Sequence, residues 1–334
     1  MRNFLPMLWK IGKIVLPILI LIGVGLQFNS ILSRPELWNQ PLTLRPIPLI
    51  LAGLLYLIAH TLWATFWVQL LHNQGANVPW TVGLRAYFVS QLGKYVPGKA
   101  WVIVLRVAML RHLAPSKSML VLTGLYETLT SMAAGAVVAA LLVPWLAGVS
   151  EQLSGRQWML LPLAAMPLGM RLVHRIARRV GRKYNPGTMM PLLPFGLMLR
   201  GMLQAAVGWV CLGLSLWLTL IALVPDYSEF TRDGLIRSVG INAIAYVLGF
   251  IVLIAPGGVG VREYFLAKLL TVELATYWFT GEPVGLAVVA TLVLRLVWTV
   301  SELIAMGLLA WLVRVPTAEP APTATRSESL EIVP

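Results

Sequence analysis

Residues 91–106 read QLGKYVPGKAWVIVLR, and residues 256–263 read PGGVGVRE. The first stretch decides the fold. It sets Lys94, Lys99, Arg106 and a Pro97-Gly98 break into a chain that is otherwise very apolar. The second repeats the device far downstream, with Gly257, Gly258 and Gly260 followed at once by Arg262 and Glu263. Within 81–111, neither apolar half beside the Gly93–Lys99 break is long enough to cross a bilayer core of about 30 Å. Irregular backbone is tolerated at membrane depth only where protein or a water-filled cavity surrounds it. The region therefore reads as a re-entrant hairpin. Two interrupted stretches of this kind, each beside long apolar helices, are a pointer to a shared polar site.

Working outward, composition sets the class. Of 334 residues, 58% are hydrophobic and 12% charged, against about 25% charged in a soluble domain. Several apolar runs reach the roughly 20 residues that a spanning helix needs. The expectation is an all-α polytopic membrane protein with seven to eight transmembrane helices and two Gly/Pro-broken re-entrant segments. Spans are predicted over about 14–28, 47–71, 118–144, 157–172, 192–224, 235–255 and 284–313. Residues 261–281 fit a re-entrant or surface helix as well as a poor span, which leaves the side of the C-terminus open. The membrane domain is drawn over 1–315, and the Pro/Thr/Ala/Glu-rich residues 316–334 read as a disordered tail.

The net charge of +13 comes from 26 Lys+Arg against 13 Asp+Glu. In a soluble chain that excess would suggest nucleic acid. Here positive-inside loops account for it, and no nucleic-acid partner is expected. Arg2, Lys10 and Lys13 put the N-terminus in the cytoplasm, and Arg171, Arg175, Arg178, Arg179, Arg182 and Lys183 mark a cytoplasmic loop. The loop with Asp226, Glu229 and Asp233 suits the opposite side. No cleavable leader is expected at 14–28, since no small-residue site follows it. The single cysteine, Cys211, excludes an intramolecular disulfide.

Within the first break, Lys99 and Arg106 are seven residues apart and share a helix face. The N–H groups that open the helix after Pro97-Gly98 add positive partial charge there. A snorkelling basic helix at the interface is the plainer alternative. Gly93–Lys99 also fits G-x-x-x-x-G-K, but Ala100 stands where the magnesium-binding hydroxyl should be, and no βα unit surrounds it. At the second break three glycines let successive N–H groups converge on an anion, with Arg262 directly after them. A hinge between helices is the alternative.

Glu127 lies in mid-span with Thr123, Thr130 and Ser131 on its face. Arg295 and Glu302, seven apart, share a face of the last span, and Arg200 lies in the fifth. A charge at the bilayer centre costs about 2.5–3.5 kcal/mol on the insertion scale, so each should turn inward and find a partner. Glu127 with Arg106 or with Arg295 is the structural alternative to a functional role. Histidines 60, 72, 112 and 174 are isolated, without metal spacing, and read as interfacial or loop residues. No metal, no cofactor and no catalytic residue are expected.

The paired stretches G-K-Y-V-P-G-K-A-W, continuing to Arg106, and P-G-G-V-G-V-R-E resemble the lysylphosphatidylglycerol synthase transmembrane-region family, a set of flippase-like membrane domains. The resemblance covers roughly residues 10–313. It points to Gly93, Lys94, Tyr95, Pro97, Gly98, Lys99, Trp101 and Arg106, then to Pro256, Gly257, Gly258, Gly260, Arg262 and Glu263, and to Glu127. It implies a multi-pass protein of the bacterial inner (plasma) membrane that moves a lipid between leaflets. The substrate would be an anionic phospholipid, a polyprenyl-phosphate or a glycolipid, with a synthase or glycosyltransferase as a possible partner. Since no soluble synthase domain follows in this chain, aminoacyl transfer is not expected of it. Lys94, Lys99, Arg106, Gly257, Gly258, Gly260, Arg262 and Glu263 form the expected headgroup site, with Glu127, Arg295 and Glu302 balancing its charge. The rival readings are an intramembrane transferase acting on a lipid-linked sugar, and an accessory subunit of a glycolipid or lipid synthase.

Overall fold

The computed structural model describes residues 43–95, 101–146, 165–181, 191–224, 232–251, 261–277 and 283–314. Among these, all regular structure is helical. The α-helices are α1 (Pro46–Asn73), α2 (Trp80–Ser90), α3 (Trp101–Leu110), α4 (Lys117–Leu142), α5 (Met166–Gly181), α6 (Phe195–Leu223), α7 (Arg232–Ile251), α8 (Val261–Tyr277) and α9 (Pro283–Leu312). Five of them, α1, α4, α6, α7 and α9, are long and apolar enough to cross a membrane. They coincide with the spans expected over 47–71, 118–144, 192–224, 235–255 and 284–313. The expected span at 14–28, the tail 316–334, Lys99, Gly257, Gly258 and Gly260 lie outside the described residues.

Local chemistry sets the ends. Pro46 and Pro48 sit in the first turn of α1, where a missing N–H costs nothing. The helix stops at Gly75, whose φ of 84° only glycine adopts without strain. There the Gly75 N–H donates to the His72 carbonyl and the Ala76 N–H to that of Leu71, both at 3.0 Å, closing the last turn. Ser116 caps α4 by accepting from the Met119 N–H at 3.2 Å.

α1 runs antiparallel to α6, which is why residues far apart in sequence register at both ends. Thr43 N–H donates to the Leu223 carbonyl at 3.0 Å, while Gly201 lies against Phe66. Small residues let the backbones close up, as in membrane bundles generally. A Cβ on Gly213 would meet the Val239 Cα at 2.3 Å, and one on Gly208 the Trp63 indole at 2.4 Å. Tryptophans then bolt the layers together: Trp209 Nε1 donates to the Ser131 carbonyl at 2.8 Å, and Trp298 Nε1 to Ser215 Oγ at 2.8 Å. Ser215 Oγ in turn donates to the Ala52 carbonyl at 2.8 Å. α4, α6, α7 and α9 thus share one aromatic interior with α1.

One expectation lies partly outside the described residues, and one needs revision. The helix that covers the end of the expected 157–172 span starts at Met166 and continues through the arginines to Gly181; residues 157–164 are outside the described set. On this helix His174 packs toward Tyr126 of α4, and Arg175 is exposed. Arg200 was expected to turn inward, yet it is exposed. It lies only five residues after Phe195, so its long side chain starts near the helix end, where an arginine can reach water.

Candidate functional site

The first break is built as a helical hairpin. α2 ends at Ser90, a 3-10 turn carries Gln91–Tyr95, and α3 returns from Trp101. Gly93 makes the return possible: a Cβ there would meet the backbone N of Val102 at 2.5 Å and the Trp101 carbonyl carbon at 2.6 Å. Any side chain would push the two arms apart.

Arg106 is held inside this hairpin at 1% exposure. Its Nη1 donates to Glu127 Oε2 at 2.8 Å, and its Nε to Ser90 Oγ at 3.2 Å. The guanidinium carbon lies 4.6 Å from the Trp67 ring centre and 4.4 Å from that of Tyr87, close enough for both rings to attract the cation. Tyr87 Oη donates to Glu127 Oε1 at 3.3 Å, and Thr128 Oγ1 to Oε2 at 3.4 Å. Of the two partners open to Glu127 in the sequence, Arg106 is the one it takes. As expected, Thr123, Thr130 and Ser131 are buried on the same helix.

Lys94 leaves the 3-10 turn in another direction. Its Nζ donates to Glu302 Oε2 on α9 and to Tyr56 Oη at 3.3 Å. Tyr56 Oη also donates to Glu302 Oε2 at 3.3 Å. Arg262, the first charged residue after the second break, donates from Nη2 to Glu263 Oε1 at 2.7 Å. The same oxygen accepts from Arg295 Nη1 at 2.8 Å. One carboxylate therefore serves two guanidiniums. Arg295 and Glu302 do share a face of α9, but they look to different partners.

One ring is common to the surroundings of Lys94 and Arg262. Trp298 stacks on Tyr56 at 5.2 Å and lies 5.6 Å from the Arg262 guanidinium, which also covers Tyr246 at 4.2 Å. Lys94 thus reaches Tyr56, which stacks on Trp298, and Arg262 approaches the same indole directly. Among the described residues this region holds four cations (Lys94, Arg106, Arg262, Arg295) against three carboxylates (Glu127, Glu263, Glu302).

The aromatic lining was not read from the sequence. Tyr56, Trp298, Tyr246, Tyr87 and Trp67 sit in ordinary apolar runs, where an aromatic is usually core. His60 was read as interfacial and is not: it is buried in α1, its ring 4.1 Å from that of Tyr56 and 5.1 Å from that of Trp63. The available signal was the spacing of Tyr56, His60, Trp63 and Trp67 at i, i+4, i+7 and i+11, which aligns them on one stripe. Among the described residues there is no group of three histidine, cysteine or acidic side chains able to hold a metal ion. No family model matches the chain, and no curated protein matches it.

Proposed function

We propose that the protein is a lipid translocase that carries an anionic or phosphate-bearing headgroup through the membrane while the acyl chains stay in the bilayer. The observation that carries this reading is that Lys94 and Arg262, one from beside each glycine/proline break, approach one aromatic group: Lys94 donates to Tyr56, Tyr56 stacks on Trp298, and Arg262 lies 5.6 Å from the same indole. Cations are expensive at membrane depth and mark substrate pathways when they cluster. The excess of one positive charge over the local carboxylates gives an anion an electrostatic reason to enter. The carboxylates keep that attraction finite, so that a bound headgroup can leave.

In this reading the α2–α3 hairpin is re-entrant. The helices have 11 and 10 residues, which is about 15–17 Å each at 1.5 Å per residue, half of a bilayer core. Both arms then open on the side of the basic helix α5, which the positive-inside rule assigns to the cytoplasm. The resemblance of the two breaks to flippase-like domains of the bacterial inner membrane points the same way. Arg106 has a different part from the one expected of it: locked by Glu127, it holds the hairpin in shape, while Lys94, Arg262 and Arg295 meet the headgroup.

The test is reconstitution of the purified full-length protein into vesicles carrying labelled lipids with zwitterionic, anionic phospholipid or isoprenoid-phosphate headgroups. Leaflet exchange of at least one anionic lipid should exceed that of the zwitterionic one, and Arg262→Ala should reduce it tenfold or more. Equal exchange by wild type and Arg262→Ala, or none for any lipid, would remove the reading.

A further inference from the structure

The central network leaves one buried carboxylate unexplained. Glu273, on α8, is 0% exposed. Its Oε1 lies 3.4 Å from Arg237 Nε on α7, yet among the described residues neither of its oxygens accepts a hydrogen bond. Ser238 and Asn242, also 0% exposed, follow Arg237 on α7, and four residues apart they form one stripe. The Ser238 hydroxyl and both amide atoms of Asn242 have no hydrogen-bond partner among the described residues. Buried polar groups are normally satisfied, so a run of such orphans calls for an occupant or a second state.

Among the described residues the charges around Glu273 are few. α8 packs against α7 and α9. α7 supplies Arg237, with Arg232 and the exposed Asp233 at its first turn. α9 carries no charged residue before Arg295, which is bound to Glu263. On α8 itself Lys268 is exposed, and Arg262 and Glu263 begin the helix, about 15 Å away along its axis. Glu273 therefore belongs to a cluster apart from the headgroup region, at the far end of the same helix.

We propose that Glu273 is a proton-binding site, entered from the end of the protein where α7 begins, and that its protonation is coupled to displacement of α8. The proton comes from water and returns to it. Arg237 keeps 13% of its side chain accessible and lies five residues into α7, which gives Glu273 a partly accessible neighbour near that end of the helix. Uptake converts the carboxylate to a neutral acid whose O–H can donate. The hold of Arg237 on α8 weakens at that moment, because its counter-charge is gone. Since α8 begins at Arg262, a shift of the helix is felt at the headgroup site. This consequence rests on the translocase reading; the proton site itself does not.

Two measurements on the full-length protein decide it. Infrared difference spectra of reconstituted protein across a pH titration should contain a protonated-carboxyl band that Glu273→Gln lacks. Arg237→Gln should keep the band and move its midpoint upward by about one pH unit or more, since an opposite charge has been removed. In vesicles, an imposed pH gradient should change wild-type lipid exchange severalfold and leave Glu273→Gln unresponsive. Identical spectra for wild type and Glu273→Gln overturn the site. A titrating band with lipid exchange indifferent to the gradient overturns the coupling. A titrating band in a protein that exchanges no lipid sinks the translocase reading and leaves the proton site standing.

Discussion

Arg106 and Arg262 follow the two glycine/proline breaks, and the bundle treats them differently. Arg106 is sealed at 1% exposure: two aromatic rings lie against it, Ser90 accepts from its Nε, and Glu127 accepts from its Nη1. Arg262 keeps 13% of its side chain accessible and shares its carboxylate with Arg295. The first has a carboxylate of its own, and the second divides one with a neighbour. Equal motifs in sequence therefore do unequal work, and the difference lies in how many carboxylates each guanidinium commands.

The largest effect should come from breaking the sealed side. Removing one member of a buried pair leaves an uncompensated charge, at a cost of about 3–5 kcal/mol. Arg106→Gln and Glu127→Gln should both lose that much in thermal or denaturant unfolding of the detergent-solubilised protein. Arg106→Lys should rescue little of it, because an ammonium cannot reproduce the planar fork that bonds Ser90 and Glu127 at once. If Arg262→Gln proved as destabilising as Arg106→Gln, the contrast between the two arginines would collapse.

Next in size is the hinge that shapes the sealed side. Gly93→Ala places a methyl against the Val102 and Trp101 backbone, which cannot yield as a side-chain tip can. A loss of about 1–3 kcal/mol is expected for such overpacking. Gly307→Ala, with nothing within 4 Å of its added Cβ, is the matched control and should be neutral or slightly stabilising in α9. Because Lys94 follows Gly93 directly, Gly93→Ala should also slow lipid exchange, which the control should not.

Much of this was legible beforehand. Length and apolarity located α1, α4, α6, α7 and α9 to within a few residues, because a spanning helix must hold about 20 apolar residues in a row. The 81–111 region was read as interrupted because its charges and Pro97-Gly98 break a run that a span cannot break. Glu127 announced itself as a lone acid in mid-span, and Arg106 was one of its two named partners. What stayed hidden is what depends on angles between helices. Nothing in the spacing of Arg295 and Glu302 says that one reaches α8 and the other the turn before α3. The role of Trp298 was equally invisible, since one tryptophan in an apolar helix looks like any other. Arg200 misled for the opposite reason: its position within an apolar run suggested depth, whereas its nearness to Phe195 at the helix start decides.

On the exchangeable side, stability and activity should separate. Arg262→Gln removes contacts with Tyr246 and Trp298, worth about 0.5–2 kcal/mol for such cation–ring pairs. Glu263 retains Arg295, so no carboxylate is stranded. Unfolding should therefore shift modestly while lipid exchange falls tenfold or more, measured on the same preparation. A variant that lost both in proportion would make Arg262 another structural lock.

The smallest expected effect probes the ring common to the surroundings of Lys94 and Arg262. Trp298→Phe keeps an aromatic surface for Tyr56 and Tyr246 but removes the Nε1–H that donates to Ser215. Ser215 still donates to the Ala52 carbonyl, so no buried donor is orphaned and the loss should be one hydrogen bond, about 0.5–1.5 kcal/mol. The sharper measurement is coupling. Lys94→Gln and Arg262→Gln have no contact with each other in the hydrogen-bond network, and distant sites without shared partners add to within about 0.3–0.5 kcal/mol. Tyr56, which accepts from Lys94, stacks on the Trp298 ring that Arg262 approaches, so a double-mutant cycle in unfolding should show a larger non-additive term in the wild-type background. Repeating the cycle on Trp298→Phe should shrink it, because phenylalanine offers a cation a weaker face than tryptophan. Additivity in both backgrounds would mean that the two breaks lie side by side without sensing each other, and that a headgroup would have to bind them as separate sites.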